Sequence, residues 1–113
     1  MILTKTVPFT PEEIIVLREQ FGTYIKTVID VEKRICSAGC DRHFESEKIL
    51  LDQGSNQNDL WGGGIDLETK IVDCNSMINI RPTQNNASNE ILDPGLRKKY
   101  EELTKYFFPS VYE

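Results

Sequence analysis

"TKIVDCNSMINIRP", residues 69–82, is the stretch on which the fold turns. Apolar and polar residues alternate along it with the period of two that a half-buried strand shows. On that phase Val72, Cys74, Ser76, Ile78 and Ile80 share one face, while Ile71, Asp73, Asn75, Met77, Asn79 and Arg81 share the other. The phase makes Ile78 and Ile80 core-facing. A turn between 73 and 76 would split the stretch into two strands and reset the phase beyond the break. Pro82 marks where ladder pairing fails, because proline has no N–H to donate. Residues 83–92 continue as a polar, amide-rich loop.

Outward from this stretch, the helices carry the clearest signals. In "FTPEEIIVLREQFG" (9–22), Thr10 caps, Pro11 takes the first helical position and Glu13 completes a capping box. Phe9 and Ile14 suit a hydrophobic staple. Ile14, Leu17 and Phe21 recur on one face, and Gly22 supplies the stop. The closing helix starts with Asp93 as cap and Pro94 behind it. Leu96, Tyr100, Leu103 and Phe107 line its inner face, Glu101 and Lys105 are spaced as an i, i+4 pair, and Pro109 ends it. "ESEKILLDQG" (45–54) reads as a short helix with Gly54 at its C-terminal end.

Between the first two helices, "TYIKTVIDVEKRICSAGC" (23–40) is dense in Ile, Val, Thr and Tyr and is interrupted by Glu32-Lys33-Arg34. It reads as a hairpin with strands near 23–31 and 34–40. One long helix is the alternative, weakened by the β-branched density and by Gly39. "SNQNDLWGGGID" (55–66), with its amides and three successive glycines, reads as loop. The order is α-β-β-α-β-β-α, with room for a weak strand at the N-terminus. Hairpins in place of regular βαβ crossovers imply an α+β domain, a small, mostly antiparallel sheet with helices packed on it.

The chain has 113 residues, 39% hydrophobic and 27% charged, which suits one globular domain over residues 1–113. A chain this short buries about two-thirds of its unfolded surface, which leaves self-association open. The net charge of −5 disfavours a nucleic-acid partner, since the basic groups Lys33-Arg34 and Arg97-Lys98-Lys99 have acids beside them. "MILTKTVPF" lacks the charged start and apolar core of a signal peptide. Apolar runs fall far short of the ~20 residues that span a bilayer. A cytoplasmic domain with three reduced cysteines is the expectation, without membrane attachment.

Several stretches together, "DVEK" (30–33), the His43 segment, "LLDQGSNQNDLWG" (50–62), "SMINIRPTQNN" (76–86) and "DPGLRKK" (93–99), resemble a family of small prokaryotic proteins that carries the description of a domain of unknown function. The resemblance runs from about Tyr24 to Lys99 and implies a stand-alone cytosolic domain; it brings no activity. The chain departs from the family pattern in its cysteines within "CSAGCDRHF" (36–44) and in Gly63-Gly64.

The candidate sites each have a plainer reading beside them. Asn79 and Arg81, with Ser55 and Trp61 from one amide-rich loop and Gln84 from another, could form a polar pocket in which the arginine fork holds a small anionic ligand. The same residues also describe the wet side of a strand with a tryptophan plugging the core edge. His43, the only histidine, is a candidate general acid or base, with Arg81 stabilising developing charge in a hydrolase of an anionic, phosphodiester-like substrate. A lone histidine is more often structural. Cys36, Cys40, His43 and Cys74 count as a Cys₃His zinc set, but four residues of strand span ~13 Å, whereas two sulfurs on one zinc lie within about 4 Å. Buried thiols are therefore favoured over a metal. No nucleotide-cradling or metalloprotease motif occurs, and no cofactor is expected. A ligand- or protein-binding module is the leading functional expectation, with the hydrolase as its alternative.

Overall fold

The computed structural model describes residues 1–112. Strands β1 (Leu3–Lys5), β2 (Tyr24–Asp30), β3 (Ile35–Ala38), β4 (Leu60–Asp66) and β5 (Val72–Asp73) form one sheet in the order β1-β3-β2-β4-β5, every neighbouring pair antiparallel. Helices α1 (Pro11–Phe21) and α3 (Pro94–Phe107) cover one face, and α2 (His43–Asp52) packs on the other. The α+β architecture expected from the hairpins holds. The N-terminal strand is real and pairs with β3, so the order becomes β-α-β-β-α-β-β-α.

β2 lies inside the sheet and is apolar on both sides. Ile25 and Ile29 enter the larger core with Ile14, Leu17, Tyr100, Leu103 and Phe107, whereas Val28 joins Leu50 and Leu60 beneath α2. Each such aliphatic side chain contributes about 1.5–3 kcal/mol when fully buried. Thr10 and Glu13 make both halves of the capping box, and Gly22 ends α1 at φ 71°. Asp93 caps α3 by accepting from Gly95 N–H. Glu101 reaches Arg97 at 3.8 Å rather than the expected Lys105, whose ammonium stands over the Tyr112 ring. Helix α2 starts two residues earlier than its acidic cluster suggests, at His43.

Two readings of the sequence are overturned. The glycine-rich stretch expected to be loop contains β4, which pairs with β2 along its whole length and is buried from Leu60 to Ile65. Its glycines are there because other groups lie directly on the strand. A Cβ at Gly62 would stand 2.7 Å from Ser76 Cβ, and one at Gly63 would stand 2.9 Å from Tyr100 Oη. One at Gly64 would collide with the Tyr24 ring, which crosses β4 so that its hydroxyl donates to Asp73 Oδ2 on β5 at 2.5 Å. Glycine usually weakens a strand, but here it lets neighbours approach the backbone.

The second is the strand pairing expected through residue 81: the break left open between 73 and 76 does occur, but no strand follows it. Only Val72–Asp73 pairs as strand with β4. Asp73 Oδ1 then accepts from Asn75 N–H and Ser76 Oγ from Ile78 N–H, and Met77–Asn79 and Pro82–Gln84 form 3-10 turns. Short polar side chains that bond the nearby backbone compete with the ladder, and here they win. The alternation beyond Asp73 therefore has no face to report. Ile78 does pack under α2, but Ile80 is 47% exposed, while Asn79, assigned to the opposite face, is fully buried.

Candidate functional site

The segment after β5 closes the free edge of β4 with side chains. Asn79 Oδ1 accepts from Gly62 N–H at 2.8 Å, and its Nδ2 donates to Gly62 O at 2.9 Å and to the carbonyls of Cys74 and Asn89. The Gly62 N–H can only donate, which fixes the orientation of the amide. Asn86 ties the same loop: its Nδ2 donates to Asn79 O, Ser88 O and Glu90 O, and its Oδ1 accepts from Leu92 N–H. Cys74–Ser76 is further clipped to 89–91 by backbone bonds from Ser76 N–H to Asn89 O and from Ile91 N–H to Cys74 O.

Arg81 completes the edge. Its Nε donates to Ile78 O, its Nη1 to Gln57 O and Gln84 Oε1, and its Nη2 to Leu60 O. The guanidinium stacks on Trp61, with Cζ 4.4 Å from the ring centroid, and the Glu47 carboxylate stands 3.9 Å away. Burial lowers the guanidinium pKa and Glu47 acts against that shift. Trp61, Asn79, Arg81 and Gln84 thus do come together, but as an internal polar knot in which the arginine fork is engaged by the protein's own carbonyls. Ser55 lies apart from it, donating to the buried Asp30 carboxylate at 2.7 Å.

His43 opens α2. The residue before it, Arg42, offers no acceptor as a cap, and the Glu45 carboxylate instead accepts from Arg42 N–H. His43 Nε2 lies 2.7 Å from Gly63 O. A carbonyl only accepts, so Nε2 carries the proton and Nδ1 keeps the lone pair in the neutral ring. Burial pushes the imidazole pKa below its usual value, only partly offset by the bond to Gly63, so the ring is neutral at pH 7. His43 and Arg81 bind different carbonyls of β4 and share no hydrogen bond. Cys36, Cys40 and Cys74 are buried free thiols with pKa values raised chiefly by that burial. Among the described residues, no group of three His, Cys, Asp or Glu side chains is arranged to hold a metal ion.

Beside the knot lies a groove of about 550 Å³, lined by Lys26, Asp41, Arg42, His43, Phe44, Ser76, Met77 and Ile78. Its apolar wall stands open: Phe44 is 56% and Met77 81% exposed. Lys26 is tethered, donating to Asp41 O. The sequence hid this site. The alternation assigns Met77 to a polar strand face, and Phe44 lies in the first turn of α2, ahead of the helix that the sequence predicts over 45–54. Only the 3-10 turn brings position 77 opposite the first turn of α2.

Fold and site together define a small α+β domain whose antiparallel sheet is covered on both faces and locked at one edge by a buried Asn-Arg knot. A family model described as "Protein of unknown function (DUF5674)" matches residues 2–107, and the chain belongs to that family, as its motifs implied. No curated protein and no solved structure matches it. Among the described residues, no helix is long and apolar enough to cross a membrane.

Proposed function

We propose that this domain is a non-enzymatic binding module that takes an apolar side chain of another polypeptide into the groove between the start of α2 and the turn at Met77–Asn79. The single observation that carries this reading is the exposure of Phe44 and Met77 along one groove. Exposed apolar surface of this kind marks interaction sites, and aromatic residues and methionine are enriched where proteins meet. The wall is also preorganised: Ser76, Asn79 and Asn86 hold the turn that presents Met77, so little ordering cost opposes binding. A small anionic ligand on Arg81 would have to displace four hydrogen bonds within the chain, and the hydrolase reading meets the same obstacle.

A benzophenone amino acid at position 77, irradiated in cells, tests the reading. Polypeptide adducts are expected at 77, lost on Phe44→Asp but not on Ile15→Asp in the opposite helical layer. Absence of adducts at 77, or their persistence in the Phe44→Asp protein, overturns it.

A further inference from the structure

Resting on that reading, we infer that the occupant of the groove is a second copy of this chain, bound about a twofold axis so that each Phe44 enters the groove of the other protomer. A twofold interface must be complementary to itself, and the rim of this groove is. Asp41 and Arg42 are adjacent and exposed. Among the described residues, neither side chain has an ion-pair partner within the chain. An axis passing beside them sets Asp41 of one protomer against Arg42 of the other, twice, with opposite charges meeting both times.

The apolar part matches itself in the same way. Phe44 follows Arg42 by two residues and projects from the rim of the groove that would receive its counterpart. A cavity of about 150 Å³ holds a benzene ring, so an open groove of about 550 Å³ has room for an incoming phenyl ring beside the resident Met77. The net charge of −5 opposes self-association only at long range, where it is screened beyond about 8 Å at physiological salt. At the patch itself, the charges of Asp41 and Arg42 cancel, and Lys26 is tethered to Asp41 O.

Sedimentation equilibrium of the purified protein tests this directly. The wild type is expected to be a dimer. Asp41→Arg and Arg42→Asp should each weaken it about tenfold or more, because each sets like charges opposite one another across the axis. The double swap, Asp41→Arg with Arg42→Asp, should restore it; circular dichroism confirms that each variant is folded. A monomeric wild type overturns the inference, as does a dimer that the double swap fails to restore. In either case, adducts formed at position 77 with a different polypeptide would leave the binding reading standing, whereas absence of adducts there would remove both.

Discussion

The side-chain amide of Asn79 pairs with both backbone polar groups of Gly62, accepting from its N–H at 2.8 Å and donating to its carbonyl at 2.9 Å. A side-chain amide carries the same donor and acceptor as a peptide group. Asn79 therefore stands in for a strand residue where β5 has already left the sheet. Replacing it with alanine leaves both Gly62 N–H and Gly62 O without their side-chain partner in a buried setting, while the carbonyls of Cys74 and Asn89 each keep a backbone donor. At about 1–3 kcal/mol for each unsatisfied buried group, Asn79→Ala should lose about 3 kcal/mol or more in a urea titration. Asn79→Asp keeps the acceptor toward Gly62 N–H but faces the carbonyls with oxygen, and it should rescue little of that loss. A loss under 1 kcal/mol for both would show that the edge is held by other means.

Gly62 and Ser76 should be coupled through shared space. A methyl at position 62 meets Ser76 Cβ at 2.7 Å and Oγ at 2.8 Å. Overpacking of this kind costs about 1–3 kcal/mol. Ser76→Gly removes both colliding atoms, so Gly62→Ala should be milder in that background than in the wild type. A double-mutant cycle on chemical denaturation measures the difference. Strict additivity would mean that the strand shifts away from the turn.

The pH dependence of stability should report His43. Its pKa is lowered in the folded protein, chiefly by burial. Below the unfolded value of about 6.5, the unfolded chain takes up a proton that the folded chain resists, so stability is complete above that pH and declines as the pH falls below it. His43→Gln retains an N–H that can reach Gly63 O and has no charge to gain. With no other histidine in the chain, this variant should flatten the slope between pH 5 and 7 in urea midpoints. An unchanged slope would move its origin to other groups.

The three cysteines should be silent toward thiol reagents. All three are buried and free, and burial raises the pKa of each, that of Cys74 to about 12. The reactive thiolate is therefore scarce at neutral pH. Ellman's reagent should find almost no fast-reacting thiol in the native protein and three after denaturation. A rapid native reaction at Cys40, beside the groove-lining Asp41, would indicate that this end of α2 opens.

The parts legible from sequence alone were those whose causes lie within a few residues of their effects. Thr10 with Glu13 and Asp93 with Gly95 set helix starts through local hydrogen bonds, and the β-branched run of β2 announces a strand. Family membership was legible in the same way, because motifs are local strings. β4 was hidden because three glycines look like loop until one sees what lies on them. Tyr24, Ser76 and Tyr100, the groups that demand those glycines, come from β2, the edge segment and α3.

The candidate site was half legible for a related reason. Of the five residues grouped as a pocket, Trp61, Asn79, Arg81 and Gln84 lie together and Ser55 lies apart on Asp30, yet residue type cannot tell an arginine fork facing solvent from one capping its own carbonyls. That choice was made by the close of β4's edge, where Leu60 and Gly62 needed partners that β5 was too short to supply. The sequence by itself thus determined the helices, the first hairpin and the antiparallel α+β class. The tertiary structure alone decided that the amide-rich segment is a lock on the sheet and that Phe44 and Met77 open beside it, since both depend on which backbone groups were left unpaired once the strands had met.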